Sequence, residues 1–164
     1  AASLVPRSVG DYVPVAARWG PALAAAVTLC IAGSSRWFGP ITDPRGLPTG
    51  SPADRWLLGG GAVLLAVASR LLVVRVVGRR QPTTDPQLVD VDDAIRATTI
   101  HLIAGGATAA ILLLALQAAQ SVLQPRQVPF GLRFWIPLAL VLAAWTSGRY
   151  LANRPWKVHR RAPT

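Results

Sequence analysis

Glutamate is absent from these 164 residues, lysine and cysteine occur once each, and methionine does not occur at all. Charged residues make up only 15% of the chain. A water-soluble surface normally carries about a quarter charged residues, so a soluble globular domain is a poor fit, although the length would suffice for one. The lone cysteine, Cys30, excludes an internal disulfide and has no partners at metal-ligand spacing. Inside an apolar run it reads as a small hydrophobe. A Gly-rich phosphate loop, paired Cys/His ligands, a Gly-x-Ser-x-Gly elbow and a haem-type His pair across two helices are all lacking. No catalytic residue, metal or cofactor is therefore expected.

What the chain has instead is apolar length. Four runs, roughly Trp19–Ser35, Trp56–Val77, Ala97–Leu123 and Phe134–Leu151, are apolar enough to be membrane helices. The expected fold class is all-α, an integral membrane four-helix bundle. The first run is short for a span, and a re-entrant or interfacial segment is its alternative. It lacks a clear Ala-x-Ala-like exit, so it does not read as a cleaved signal peptide. If all four runs span, the side holding both tails and the second connection carries 12 of the 17 Lys and Arg residues, and the other side carries five. Basic residues concentrate on the cytoplasmic side, which predicts N-in/C-in threading. The formal charge of +10 sits at the ends of apolar runs and not along one polar face. It therefore points to anionic lipid rather than nucleic acid. Arg79, Arg80, Arg154, Lys157, Arg160 and Arg161 are the candidate lipid contacts.

Three segments follow from this layout. Residues 1–13 are an N-terminal segment with no assigned part in the fold; Leu4-Val5-Pro6-Arg7-Ser8 resembles part of a protease-cleavage linker. Residues 14–152 are the four-span domain, and 153–164 a basic cytoplasmic tail. The loop over 36–55 holds prolines and glycines that forbid a long regular element. Trp37, Phe38 and Trp56 bracket it as an aromatic belt. Asp85-Pro86 reads as a helix start. From there a short amphipathic stretch with Leu88, Val91, Ala94 and Ile95 continues into the third span.

Few polar residues fall inside the runs. Arg70 lies roughly 21 Å from Trp56 at 1.5 Å per residue, within reach of the interface by snorkelling; the alternative is an Arg facing a cavity that binds an anion. His101, one turn into the third span, is the other candidate for an intramembrane polar site. It could shuttle protons or contact a quinone headgroup, against the plainer reading of a histidine hydrogen-bonded near the interface. Asp90, Asp92 and Asp93 form the one acidic cluster and read as complements of a helix dipole and of nearby Arg residues. On the third run Gly106, Ala110, Leu113, Gln117 and Gln120 recur at offsets of three and four and share one stripe. Small residues and amides together make that stripe the expected helix–helix contact. Gly59-Gly60-Gly61 reads as close helix packing.

The string Val89-Asp-Val-Asp-Asp-Ala-Ile-Arg-Ala-Thr-Thr-Ile-His101, between the second and third runs, resembles one in small uncharacterised four-helix membrane proteins of high-GC Gram-positive bacteria. The resemblance implies a lineage and a four-helix layout, and no activity. The Arg, Ala, Val and Leu bias fits the same kind of genome, and a bacterial inner membrane is the expected location. The expected function is a non-catalytic membrane subunit or scaffold. Its partners would be other integral membrane subunits and anionic lipids, with a homo-oligomer as a further option and no nucleic acid. The alternative is the membrane component of a transporter, its path lined by Arg70, His101, Gln117 and Gln120. A lipid-modifying enzyme ranks third.

Overall fold

Long apolar stretches without tertiary strand partners satisfy their backbone only as helices, and helices are what the chain forms. The computed structural model describes residues 15–38, 51–79, 86–123 and 129–152. They form α1 (Val15–Phe38), α2 (Pro52–Val77), α3 (Pro86–Leu123) and α4 (Phe130–Ala152), with no strand among the described residues. The N-terminal segment 1–13, the loop over 39–50, Asp85 and the basic tail 153–164 lie outside them. So do the side chains of Trp37 and Phe38.

Helix boundaries follow local chemistry. Ser51 caps α2: its hydroxyl accepts from the Asp54 N–H at 3.2 Å, and the Asp54 carboxylate accepts from the Ser51 N–H at 2.9 Å. Pro52 occupies the first turn, where its missing N–H costs nothing. α1 begins about one turn earlier than the apolar run suggests. Pro21 therefore sits inside the helix and leaves the Ala17 carbonyl without its intrahelical donor. The amphipathic stretch after Pro86 and the third apolar run are one unbroken helix of 38 residues.

α3 is the centre of the bundle. It packs against each of the other three helices, α1 also packs on α2, and α4 rests chiefly on α3. Small residues set the crossings. A Cβ at Gly20 would come within 2.9 Å of Thr108 Oγ1, and one at Gly59 within 2.9 Å of Leu29 Cδ2. Thr28, fully buried, donates to the Ala24 carbonyl at 2.9 Å and reaches the Ile111 carbonyl of α3 at 3.4 Å. Two apolar clusters lie along α3. Val73, Ala97 and Ile100 form one, and Ala24, Ala25, Ala62 and Ile111 the other.

The distribution of sizes is the reverse of a water-soluble core. Among the described residues, ten of the thirteen buried hydrophobic ones are alanine, while twenty-two large apolar side chains are exposed. A soluble monomer rarely exposes contiguous apolar area beyond a few hundred Å². Helices that associate in lipid bring small residues together and turn large ones outward. Among the described residues, two helices are long and apolar enough to cross a membrane, over Ala53–Val77 and Leu88–Gln120, and Gly131–Ser147 is a shorter apolar stretch.

Candidate functional site: a basic-ended groove between α1 and α2

α1 and α2 run antiparallel. Leu29 and Ala32 meet Gly59, and farther back along α1 Ala24 and Ala25 cluster with Ala62 and Ala66. Beyond the Leu29–Gly59 crossing the two helices leave a groove of about 500 Å³. Its walls are Ala22, Ala25, Leu29, Val63, Ala66 and Val67, and Ile100 and Ala104 of α3 form its floor. The polar groups on it are Arg18, Ser69, Arg70 and the Trp19 indole. The Ser69 hydroxyl is used internally, donating to the Ala66 carbonyl at 2.8 Å. Both Arg residues are exposed. The Arg18 guanidinium lies 6.0 Å from the Trp19 ring centroid.

Arg70 thus lines a groove, but an apolar one open to the surface, and His101 does not join it. His101 is buried on α3 and is engaged by a neighbour. The two candidates for an intramembrane polar site therefore do not line the same groove. Arg18 was not among the residues singled out from sequence. Its signal was available in the register: Arg18 lies eleven residues before Leu29, and Arg70 eleven after Gly59, so antiparallel packing brings the two level.

The stripe expected to make the helix–helix contact is not the packed face of α3 among the described residues. Gly106, Leu113, Gln117 and Gln120 are exposed and Ala110 is half-buried; a Cβ at Gly106 would meet nothing within 4 Å. The buried face of α3 is the opposite one: Ala97, Ile100, Ala104, Thr108, Ile111, Ala115 and Ala118. Small residues do mark the interface, as expected. However, α3 carries them on both sides, and the alanine side packs more closely than one bearing Leu and Gln. Of the three consecutive glycines, Gly59 makes a tight crossing, a Cβ at Gly61 would meet Leu114 at 3.9 Å, and Gly60 faces open space.

At the end of the bundle where α2 meets the start of α3, Arg96 is the organising residue. Its Nη1 donates to the Arg79 carbonyl at 2.6 Å. Its Nε sits 2.7 Å from Asp92 Oδ2, a charge contact and not an aligned hydrogen bond. Asp90 and Asp93 are also engaged. Among the described residues no group of three or more His, Cys, Asp or Glu is placed to hold a metal ion. Arg79 is exposed, as a headgroup contact requires, while Arg80, Arg154, Lys157, Arg160 and Arg161 lie outside the described residues. Exposed aromatic residues stand near helix ends: Trp19 on α1, Trp56 on α2, and Phe134 and Trp135 on α4. The last two pack edge to face at 5.3 Å. Trp145, farther along α4, lies under Arg149 at 5.2 Å.

No family model matches the chain, and no curated protein or solved structure matches it.

Proposed function

We propose that this chain is a non-catalytic integral membrane protein, a small subunit or scaffold that packs against partner membrane chains. All four helices span in this reading, with both termini cytoplasmic. The observation that carries it is the inverted packing: alanine inside, with large apolar side chains outside on every helix. Water would not tolerate that surface, whereas lipid and neighbouring helices would. Tryptophans near helix ends, with Arg18 and Arg149 beside two of them, fit the headgroup zones. The outward stripe of Gly106, Ala110, Leu113, Gln117 and Gln120 is the face offered to a partner, since small residues allow close approach and amides bond across helices.

The transporter alternative needs polar residues converging on one cavity. Arg70 lines the α1–α2 groove without His101, Gln117 or Gln120, and the two glutamines face outward. That scatter favours the subunit. The test is reconstitution of the purified chain in liposomes. The wild type is expected to move no ions or small anions above background, and Arg70→Lys and His101→Ala to remain inserted and associated with the partner. Flux through the isolated chain that is lost in either variant would make it a transporter.

A further inference from the structure

We propose that the groove between α1 and α2 binds one anionic phospholipid, its phosphate between Arg18 and Arg70 and one acyl chain along the aliphatic walls. The proposal rests on the membrane-embedded reading above and adds to it a ligand and a place.

Three observations converge on it. The first is register. Counting eleven residues away from the Leu29–Gly59 crossing along each helix reaches Arg18 on α1 and Arg70 on α2. Antiparallel packing sets the two guanidiniums at one level, at the mouth of the same groove. The second is length. Eleven residues at 1.5 Å each span about 16 Å, close to half of a hydrocarbon core of about 30 Å. The groove therefore runs the depth of one leaflet and is closed at its inner end by the tight Leu29–Gly59 contact. The third is charge. No acidic side chain lines the groove, and among the described residues neither guanidinium is ion-paired with a carboxylate. The Trp19 indole beside Arg18 stands at the headgroup level, where such rings settle. N-in/C-in threading makes this the cytoplasmic leaflet, whose anionic lipids attract basic residues.

The shape also selects the ligand. Two guanidiniums can each donate paired hydrogen bonds to phosphate oxygens, and a phosphodiester with no compensating cation leaves them fully used. A zwitterionic headgroup brings its own ammonium to the same place. Aliphatic walls of Ala25, Leu29, Val63 and Ala66 over a floor of Ile100 and Ala104 reward an alkyl chain and offer nothing to a soluble anion. Inorganic phosphate would satisfy the mouth and leave the groove unfilled.

The experiment is native mass spectrometry and thermal unfolding of the full chain in mild detergent. The probes are dioleoylphosphatidylglycerol, dioleoylphosphatidylcholine and inorganic phosphate. One phosphatidylglycerol should remain bound, and phosphatidylcholine should be retained about tenfold less, the scale of one lost charge-assisted contact. Arg18→Gln and Arg70→Gln should each lower phosphatidylglycerol retention about tenfold. Arg75→Gln, exposed on the same helix but off the groove, should not change it. Ala66→Phe should displace the chain without altering charge. Because that variant also presses on the alanine cluster, the two exposed Arg positions decide the outcome. Equal retention of both lipids, unchanged retention in Arg18→Gln and Arg70→Gln, or equal stabilisation by inorganic phosphate would each overturn the proposal. Efficient Ala66→Cys cross-linking between copies, unaffected by lipid, would assign the groove to a second copy and also overturn it. Carbonate-resistant pelleting of the cell membranes, before detergent is added, separates the two readings. A pelleted chain that retains no lipid refutes the groove alone, whereas a wild type left in the supernatant refutes membrane embedding itself.

Discussion

At the scale of single residues, the decisive contacts are made by atoms that are missing. Gly20 lets α1 approach Thr108, and Gly59 lets α2 approach Leu29. Gly20→Ala should destabilise the bundle by about 1–3 kcal/mol, the range for overpacking a close contact. Thr108→Ala should relieve much of that loss, because the clash is with Oγ1. The hydroxyl otherwise donates only within its own helix, to the Ala104 carbonyl at 2.7 Å. Thermal unfolding of the two single variants and the double variant in detergent gives the coupling; strictly additive losses would show that these residues do not touch. The face of α3 can be tested the same way. Ala104→Leu, on the buried side, should lower the unfolding temperature of the isolated chain, and Gly106→Leu should leave it unchanged. Gly106→Leu should instead weaken association with a partner. A reversed order would return the intrachain contact to the glycine stripe.

At the scale of elements, hydropathy made the helices legible, because an apolar run of sufficient length has no other way to satisfy its backbone. The continuity of α3 was legible too: Leu88, Val91 and Ile95 lead into the span without a proline or glycine to break them. Less legible was the start of α1, since Val15 to Arg18 are helical without being part of the apolar run. The contact face of α3 could not be read at all. Ala104 and Gly106 are equally small and two positions apart, and only the shape of the neighbouring helices decides between them. The groove went unseen because it needs the register of two helices, which neither one specifies alone. Element ends carry their own prediction. Arg96 holds the Arg79 carbonyl and Asp92, so Arg96→Leu should fray the last turn of α2. Hydrogen exchange over residues 74–79 should quicken about tenfold or more, as expected for a lost charge-assisted bond. Unchanged protection there would remove Arg96 as the tie.

At the scale of the whole molecule, what matters is which surface faces what. Among the described residues, alanine dominates the interior and large apolar side chains the exterior, the arrangement on which the membrane-embedded proposal rests. Topology can be measured directly. In a Cys30→Ala background, needed because Cys30 is itself exposed, cysteines at Thr49 and Gln127 should label with an impermeant thiol reagent in intact cells. One at Gln81 should not. Labelling at Gln81 alone would invert the protein. Labelling at all three would mean that neither α2 nor α3 crosses.

α3 has a length that its neighbours do not share. Its 38 residues measure about 57 Å, against 40–45 Å for a bilayer with its headgroups. In the membrane-embedded reading proposed above, a helix of this length set along the membrane normal leaves about 12–17 Å clear of the bilayer, at its Asp-bearing end. A displacement of residues 86–93 would therefore be carried along one continuous helix toward the buried alanines, with Gly105-Gly106 as its most pliable point.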